Sequence, residues 1–517
     1  MQSYQNPILP GFFPDPSIIR VDDTYYLTNS SFQFFPGLPI HSSKDLINWN
    51  LIEAFLTQPL DAALVASADE TTVGNAINRT SQLTLQNATT KINNVKRKEV
   101  FTGGLYAPTI RFHNGVFYIV CTNLSGSSVM RSNEDFQPQN FLVTSKNLSD
   151  PDSYSNPILF DFYGIDPSLL FDDDGTVYMH GSFIFGYSKR PATVIRQAAI
   201  DLITGKLTSE IRDIWEGTGG HVPEGPHIYK KDGFYWLLIA EGGTHRRHKV
   251  TMARSKNVWG PYESYEQNPL ITGREGSQVS CVGHAELVDD TNGNWWAVML
   301  ARREFGPSYP LGRETFMVPV KWPRGEFPRF EPHNISSKTS FPTDHQVTIS
   351  SPHTLYLRDP KLQDYKQGHD SKTLILHLVE EELGTVGGNP TFIGQRQISL
   401  DSDAQAEIDL ISAPRKGHCG LSISLAVHHL GQDLSFLKAT LLQDASAVRV
   451  RIQSTTEEYK FLYNTFSNSQ WSTETELGQI PCANMSADDF TGTIYGIYAY
   501  GPGGDVKFNS FSIHHGR

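Results

Sequence analysis

Apolar and polar positions along the first part of the chain follow one pattern five times. A short polar motif precedes an apolar run, a turn of Gly, Asn or Asp, and an aromatic-rich run. The motifs begin at Asp15, Ala107, Asp166, Glu224 and His284. The aromatic-rich runs that follow are 24–27, 116–119, 176–179, 234–237 and 294–297. The motifs recur about every 60 residues after a longer first interval, and such strand-turn-strand repeats predict the blades of a β-propeller.

The fivefold pattern stops before a proline-rich stretch at 322–328, which indicates a domain boundary. Apolar and polar residues alternate again over 353–517, with hairpin turns that are typical of a second all-β domain. The sequence therefore predicts an all-β fold, a five-bladed β-propeller over 1–335 followed by a β-sandwich over 350–517. The longer first interval contains residues 57–100, which we interpret as a surface insertion.

Composition and charge restrict the partners of the chain. The 517 residues carry a formal net charge of −12. This excess of acidic residues argues against nucleic acid, whose phosphates are neutralised by Lys and Arg, and against anionic membrane surfaces. No run of about 18 apolar residues is present, so no membrane-spanning helix is predicted. A neutral substrate such as a sugar is compatible with the net negative charge. The sequence leaves the oligomeric state open.

The N-terminal residues and the cysteines bear on the compartment. Residues 1–5 have neither the basic nor the apolar segment of a signal peptide, so the chain is either intracellular or a mature chain with an added Met. Seven Asn-x-Ser/Thr sequons weakly favour secretion, and an extracellular location is favoured over a cytoplasmic one. The four cysteines are too few for a disulfide framework. Buried free thiols are favoured over a Cys419–Cys482 bridge.

Three of the repeated motifs supply a carboxylate. The first strand of every propeller blade lines the central channel, so Asp15, Asp166 and Glu224 are expected to face one another at its mouth. Mutual repulsion and partial desolvation raise the pKa of at least one such carboxyl. Separating a protonated acid from an ionised base in this way is what hydrolysis of a glycosidic bond requires.

Each candidate residue also has a purely structural interpretation. Asp before Pro-Ser is common turn chemistry, because the Asp side chain accepts local backbone hydrogen bonds. His284, at the fifth equivalent position, could be a structural histidine or could bind a metal ion or water on the channel axis. Phe32 and Tyr106 could be core residues or could stack on a sugar ring. Arg313 could pair with a carboxylate or lie at the surface.

Six segments together match the pattern of a known family. They are 6–17, 164–168, 223–229, 240–244, 311–315 and 490–499. On these segments the chain resembles glycoside hydrolase family 43, and the last of them resembles the β-sandwich that accompanies the propeller in two-domain members. The resemblance covers nearly the whole chain and implies a five-bladed propeller that acts as an inverting, exo-acting pentosidase.

The resemblance also implies residue roles. Asp15 would be the general base that activates water, Glu224 the general acid that protonates the leaving oxygen, and Asp166 the residue that holds and tunes the acid. No cofactor would be required for the chemistry. His284 would be a ligand, direct or through water, of a structural calcium ion on the propeller axis.

Four further residues fall where such members contact the terminal sugar. They are Phe32, Tyr106, His248 and Arg313, and Tyr106 stands where Trp is more usual. The expected activity is release of terminal xylose or arabinose from xylan, arabinoxylan or xylo-oligosaccharides. A β-xylosidase is slightly favoured, one enzyme could act on both pentoses, and an α-L-arabinofuranosidase that debranches arabinoxylan is the alternative.

Two other classes of propeller are considered, of which the first stays open and the second is disfavoured by the sequence. A carbohydrate-binding propeller without catalysis would show sugar affinity but release no sugar. A retaining sialidase-like propeller would need a set of Arg residues at repeat-equivalent positions for a carboxylated sugar, and the repeats contain no such set. The sequence leaves the pentose, the linkage, branching tolerance and metal occupancy undecided.

Overall fold

A computed structural model of the 517-residue chain underlies the description of its fold. It describes residues 4–52, 75–77, 89–94, 97–126, 136–186, 189–219, 221–274, 276–331, 343–349, 351–383, 385, 388–414, 417–425, 445–486 and 491–516. These residues form strands almost throughout. The 3-10 helices among them are Pro151–Ser153, Leu362–Asp364 and Cys482–Met485. No helix in the described ranges is long and apolar enough to cross a membrane.

The first blade is built from strands in the N-terminal part of the chain. The described strands before residue 103 are β1 (Ser17–Val21), β2 (Thr24–Thr28), β3 (Phe34–Phe35), β4 (Gly37–Ser43), β5 (Asn50–Leu51), β6 (Asn75–Ile77), β7 (Thr89–Asn94) and β8 (Arg97–Thr102). The blade has the order β1-β2-β4-β5, and β6 pairs with β4. β7 and β8 form a separate hairpin. Most of the predicted insertion over 57–100 lies outside the described residues.

Four more antiparallel sheets follow in sequence. Blades 2 and 3 consist of β9 (Gly104–His113), β10 (Val116–Gly126), β11 (Phe136–Ser145), β12 (Ile158–Phe160), β13 (Gly164–Phe171), β14 (Val177–Ile184), β15 (Thr193–Ala199) and β16 (Arg212–Trp215). Blades 4 and 5 consist of β17 (Glu224–Lys231), β18 (Phe234–Glu241), β19 (Lys249–Ser255), β20 (Glu263–Ser264), β21 (Ile271–Thr272), β22 (Val279–Asp289), β23 (Trp295–Arg303), β24 (Arg313–Lys321) and β25 (Arg329–Phe330). The predicted five-bladed propeller is confirmed.

Tight turns between the first two strands of a blade follow from the local sequence. Asn114 and Gly115 have φ of 50° and 78°, and Asp232 and Gly233 have φ of 54° and 77°. Positive φ at both central residues is the requirement of a type I′ hairpin turn, and Asn-Gly and Asp-Gly meet it at low cost. Each predicted aromatic-rich run accordingly lies in, or begins one residue before, the second strand of its blade.

The ring of blades is closed between its first and last members. The first strands of successive blades contact one another, and β22 of blade 5 contacts β1 of blade 1. The segment before β1 fastens this junction: the backbone N–H of Ile8 donates to the Thr315 carbonyl at 2.9 Å. Asn6 exchanges two side-chain hydrogen bonds with the backbone of Met317, each 2.8 Å. The N-terminal segment therefore holds blades 1 and 5 together.

The second domain consists of two sheets. Its strands are β26 (Thr343–Gln346), β27 (Leu355–Leu357), β28 (Tyr365–Gln367), β29 (Leu374–His377), β30 (Thr391–Arg396), β31 (Ser402–Asp409), β32 (His418–Leu425), β33 (Ala447–Ser454), β34 (Glu458–Ser467), β35 (Gln470–Trp471), β36 (Thr475–Pro481), β37 (Thr493–Tyr500) and β38 (Asp505–His515). One sheet has the order β28-β29-β38-β31-β33-β34-β35, with β26 on β38 and β36 on β34. The other has the order β3-β27-β30-β37-β32.

Alternate residues of facing strands form the sandwich core. Phe508, Phe511 and Ile513 of β38 and Tyr495 and Ile497 of β37 are fully buried in one cluster. Burying one such side chain contributes about 1.5–3 kcal/mol, so the cluster stabilises both sheets. This arrangement is the predicted β-sandwich, and its first strand begins before residue 350.

The two domains share a strand and a core. β3 lies within the first blade by sequence but pairs with β27 of the sandwich. Phe12 and Phe34 pack in one cluster with Leu357 and Phe392 of the second domain. The sandwich therefore braces the part of the propeller that carries Phe32.

Candidate active site

An unusual backbone conformation recurs in all five blades, just before the first strand in blade 1 and within it in blades 2 to 5. The residues with positive φ are Asp15 (50°), Ala107 (37°), Asp166 (55°), Gly225 (56°) and His284 (47°). A non-Gly residue in this region is strained and is kept only where the surrounding structure imposes it. In blades 2 to 5 the pairing register with the second strand shifts at or beside this position, as in a β-bulge. The repeat therefore re-aims one side chain in each inner strand.

Glu224 does not occupy the repeat-equivalent position that the sequence predicts for it. In blade 4 that position belongs to Gly225, and Glu224 lies one residue earlier. The register agrees, because Glu224 pairs with Ala240 in the way that Ile165 pairs with its partner before the bulge of blade 3. The prediction was wrong by one residue because Glu-Gly-Pro was aligned on its acidic residue, whereas the backbone is aligned on the residue before Pro226.

Asp15 lies among groups that favour its ionised form. The Ser30 hydroxyl donates to Asp15 Oδ2 at 2.6 Å, and Arg313 Nη1 donates to Oδ1 at 3.2 Å. Burial raises the pKa of this carboxyl, but Arg313, His284 and the Ser30 hydrogen bond outweigh burial, and the pKa is lowered. Asp15 is therefore an ionised carboxylate at the mouth of the channel.

Glu224 lies in the opposite electrostatic situation. Its side chain has no hydrogen-bond donor among the described residues, and His248 Nε2 lies 3.4 Å from its Oε1. Burial raises the pKa of Glu224, and the negative charge of Asp15 adds to the effect, while His284 and Arg313 oppose it. The net pKa is raised, so Glu224 retains its proton to a higher pH than an exposed glutamate.

Asp166 is the third carboxylate of the group. Its Oδ2 accepts a hydrogen bond of 3.0 Å from the backbone N–H of Gly225. Burial raises the pKa of Asp166, and the charges of Glu224 and Asp15 raise it further, against the opposing effect of His284. The hydrogen bond ties Asp166 to the residue that follows Glu224, and so couples the positions of the two carboxyls.

His284 lies in the centre of this group. Its ring lies against Gly225, where an added Cβ would come within 2.9 Å of the imidazole. Nδ1 is 3.8 Å from Asp15 Oδ1. Only glycine at 225 leaves room for the ring, which explains the residue type at the fourth equivalent position. We call Asp15, Asp166, Glu224 and His284 the carboxylate layer.

The residues around His284 do not supply a cage for a calcium ion. Calcium takes six to eight oxygen ligands. Among the described residues no group of three or more His, Cys, Asp or Glu side chains is arranged to hold a metal ion. His284 would offer a nitrogen ligand, and Asp15, whose Oδ1 lies 3.8 Å from its Nδ1, is engaged with Arg313 and Ser30. No step of the chemistry is therefore derived through a metal.

The predicted sugar-contact residues lie beside these carboxylates. Arg313 Nη1 donates to Thr244 Oγ1 at 2.7 Å as well as to Asp15, and its guanidinium lies 5.9 Å from the Phe32 ring. Phe32 and Tyr106 pack edge to face with ring centroids 4.7 Å apart. All of these side chains are buried except Thr244, so they form an aromatic and cationic wall at the channel mouth.

His248 approaches the layer from blade 4. Burial and the positive charge of Arg313 lower the pKa of His248 to about 4, so the ring is neutral near pH 7. Its Nδ1 lies 3.4 Å from the Cys281 carbonyl. The ring is packed against Gly283, where an added Cβ would come within 2.4 Å of it. His248 is therefore a fixed, neutral neighbour of Glu224.

Sequence reasoning missed several residues that position the site. Ser30 accepts from the Ala107 N–H at 2.7 Å while donating to Asp15, and so links blades 1 and 2. Thr244 fixes Arg313, and Gly225 makes room for His284. The alignment of Pro16, Pro108, Pro167 and Pro226 was the available signal for Gly225. No sequence signal indicated Ser30 or Thr244, whose roles depend on contacts between blades.

A second polar layer crosses the channel further along the inner strands, two residues beyond the positive-φ residue in blades 1, 3, 4 and 5 and four residues beyond it in blade 2. It consists of Ser17, Arg111, Ser168, His227 and Glu286. Glu286 accepts from Ser17 Oγ at 2.5 Å and pairs with Arg111 Nη1 at 2.6 Å. Arg111 Nη2 also donates to Ser168 Oγ at 3.0 Å. This layer closes the channel beneath the carboxylates with paired charges.

The arrangement defines a class of protein, a β-propeller with two carboxyls of opposed pKa shift in one site, which is what hydrolysis of a glycosidic bond requires. Its first 330 residues match the family model "Glycosyl hydrolases family 43" over 4–69 and 64–328. The chain belongs to glycosyl hydrolases family 43, as the resemblance indicated.

Individual relatives agree with this membership. The chain is 30% identical over 552 residues to a non-reducing end α-L-arabinofuranosidase of Bacteroides ovatus, with 97% of this chain and 92% of that protein covered. It is 40% identical over 330 residues to a xylosidase/arabinosidase of Butyrivibrio fibrisolvens, which covers 62% of this chain and 55% of that protein. The crystal structure of a xylan β-1,4-xylosidase from Bacillus halodurans has a TM-score of 0.81, 26% identity and full coverage of both chains.

Proposed function

We propose that this protein is an exo-acting, inverting glycosidase that releases terminal xylose or arabinose from xylan, arabinoxylan or xylo-oligosaccharides. The observation that carries the proposal is the contrast between two buried carboxyls of one site. The pKa of Asp15 is lowered and the pKa of Glu224 is raised. Inverting hydrolysis needs an ionised base and a protonated acid at the same pH.

The proposed reaction is a single displacement. Asp15 removes a proton from a water molecule as the water oxygen bonds to the anomeric carbon of the terminal sugar. The bond from that carbon to the leaving oxygen breaks, and Glu224 transfers its proton to this oxygen. The free pentose and the shortened chain are the products, and the anomeric configuration is inverted because water attacks the face opposite the leaving group.

The neighbouring residues support the states of these two groups. Arg313 and Ser30 keep Asp15 ionised and oriented, since both donate hydrogen bonds to it. The charge of Glu224 raises the pKa of Asp166, and because a repulsion between two carboxylates is mutual, Asp166 also disfavours loss of the Glu224 proton. Phe32 and Tyr106 offer ring surfaces on which the apolar face of a pentose can stack.

The choice between the two pentoses rests on the relatives. One relative that covers 97% of this chain is named an arabinofuranosidase, whereas others are named xylosidases or xylosidase/arabinosidases. We keep the slight preference for β-xylosidase, with activity on both pentoses, and α-L-arabinofuranosidase as the second candidate. A binding propeller without catalysis is the third, but it offers no reason for the opposed pKa shifts of Asp15 and Glu224.

One experiment tests class, substrate and stereochemistry together. The protein is incubated with an aryl β-D-xyloside and, separately, with an aryl α-L-arabinofuranoside, and proton NMR follows the anomer that forms first. We expect turnover of both, with α-xylose as the first product from the xyloside. Release of β-xylose first would contradict the inverting mechanism, and no turnover of either substrate would favour the binding propeller.

Two expectations from sequence stay predictions. A calcium ion on the axis would face His284, and metal analysis of the purified protein tests for it. Extracellular location is tested by comparing activity in culture medium and cell extract. Neither is needed for the reaction proposed above.

A further inference from the structure

A second cavity lies between the propeller and the sandwich, away from the carboxylate layer. Its volume is about 390 Å³, within the range of small-molecule sites. Blade 1 and the segment before it contribute Phe13, His41 and Trp49 to the lining, and the sandwich contributes Thr343 and Arg396. The cavity is therefore built by both domains.

The lining carries positive charge without a counter-charge. Arg396 is only 7% exposed, and no carboxylate lies within ion-pair distance of it in the described part of the chain. The described residues of the lining include His41, His353 and His515 but neither Asp nor Glu. A buried cation without an anion is costly and normally acquires a partner. The cavity therefore has the charge of an anion site.

Three buried polar atoms around the cavity lack partners among the described residues. They are Nη2 of Arg396, Nδ1 of His41 and Oγ1 of Thr343. Each can donate a hydrogen bond, since the neutral imidazole can carry its proton on Nδ1. Buried donors are almost always paired in native proteins, so three of them around one cavity point to an absent acceptor.

The guanidinium is held rigidly in this position. Arg396 Nε donates to the Phe12 carbonyl at 2.6 Å, and the guanidinium lies 4.2 Å from the Phe13 ring centre. His41 packs edge to face on the same ring at 5.1 Å. A bracing role between the domains accounts for the Nε contact, but it leaves Nη2 and the other two donors unexplained.

We propose that this cavity binds a small organic carboxylate of about monosaccharide size. Arg396 and Thr343 donate to the carboxylate, as a guanidinium does in charge-assisted hydrogen bonds. The Phe13 and Trp49 rings contact the apolar face of the molecule. The site uses none of the residues of the carboxylate layer, so the proposal is independent of the proposed reaction.

Isothermal titration calorimetry on the full chain tests this proposal. The probes are sodium D-glucuronate, D-xylose as an uncharged ring, and sodium phosphate as an anion without a ring. We expect glucuronate to bind saturably at one site outside the substrate pocket. Loss of one charge-assisted hydrogen bond weakens binding by about tenfold or more, so Arg396→Gln is expected to raise the Kd for glucuronate at least about tenfold.

Two further variants make the test decisive. Thr343→Val removes only the hydroxyl at nearly constant volume, so it tests the site even if Arg396→Gln fails to fold. It is expected to weaken the binding of glucuronate several-fold. Arg329→Gln, at an exposed arginine of blade 5, is the matched control and is expected to bind as the wild type does. No glucuronate binding, unchanged binding in Thr343→Val, or binding of phosphate alone would overturn the proposal.

Discussion

The two polar layers of the propeller channel contain similar side chains with different hydrogen-bond and ion-pair partners. Glu224 in the carboxylate layer and Glu286 in the second polar layer are both enclosed by protein, and burial raises the pKa of both. Glu286 accepts hydrogen bonds from Ser17 and from the Ile18 N–H, and pairs with Arg111 at 2.6 Å. Glu224 accepts no side-chain hydrogen bond from the described residues, and His248 Nε2 lies 3.4 Å from its Oε1.

This difference separates a stabilising carboxylate from a reactive one. A buried carboxylate with every lone pair occupied is held in one charge state and one position. A buried carboxyl without donors favours its protonated form, because nothing stabilises its charge, and so it keeps a proton that it can donate near neutral pH. The two glutamates lie at different positions of the repeat, Glu224 one residue before the positive-φ residue of blade 4 and Glu286 two residues after that of blade 5. Their partners therefore differ, and we infer that these partners decide whether the carboxyl stabilises the channel or acts in it.

The largest expected effect is at the base. Asp15→Asn removes the group that takes the proton from water, and general-base catalysis contributes about 10²–10⁴-fold. We expect kcat on both xylobiose and an activated aryl xyloside to fall by at least about 10²-fold, since water must be activated whatever the leaving group. Steady-state kinetics on the folded variant measures this. Near wild-type turnover would remove the assigned role from Asp15.

The acid is expected to show a different pattern. Glu224→Gln removes the proton donor, so kcat on xylobiose is expected to fall by about 10²-fold or more. An aryl leaving group of low pKa departs without full protonation, so the loss on such a substrate is expected to be much smaller. The ratio of the two losses is the measurement. Equal losses on both substrates would contradict proton donation by Glu224.

A substitution in the second polar layer is expected to lower the stability of the fold. Glu286→Gln leaves the Arg111 cation buried without its partner, which typically costs about 3–5 kcal/mol. We expect a lower midpoint of chemical unfolding, while kcat of the folded fraction changes little. Glu224→Gln is the matched control, because the same substitution there breaks no hydrogen bond. A larger loss of stability in the control than in Glu286→Gln would reverse the comparison.

Much of this architecture could be predicted because it depends on local sequence patterns. Alternation, the Asn-Gly and Asp-Gly turns and the fivefold repeat specify strands, hairpins and blades without long-range information. Asp15 and Asp166 were found because each precedes a proline at the equivalent place. Glu224 was found too, although one residue out of register, since the acidic residue and the bulge do not coincide in blade 4.

The remaining features depend on contacts that local pattern does not encode. Ser30 joins blades 1 and 2 through two hydrogen bonds, and Thr244 reaches Arg313 from another blade. The pairing of β3 with β27 joins residues far apart in sequence. The cavity at Arg396 needs both domains in place, so no single segment of sequence could indicate it.

The smallest expected effect is a shift in the pH profile. Asp166 and Glu224 repel each other when ionised, and the charge of Glu224 raises the pKa of Asp166. Because this interaction is mutual, Asp166→Asn is expected to lower the pKa of Glu224, by roughly one unit for a close buried pair. Activity requires protonated Glu224, so it is present below this pKa and lost as the pH rises through it. The alkaline limb of kcat/KM therefore moves to lower pH.

The profile of kcat/KM against pH on xylobiose measures this shift. Asp173→Asn is the matched control in the same blade, because the Asp173 side chain is 84% exposed and pairs with Lys230. Its alkaline limb is expected to coincide with that of the wild type. An unmoved or raised limb in Asp166→Asn would show that Asp166 acts on Glu224 by position alone. The carboxylate layer would then differ from the second polar layer in its hydrogen bonds but not in how its charges act on one another.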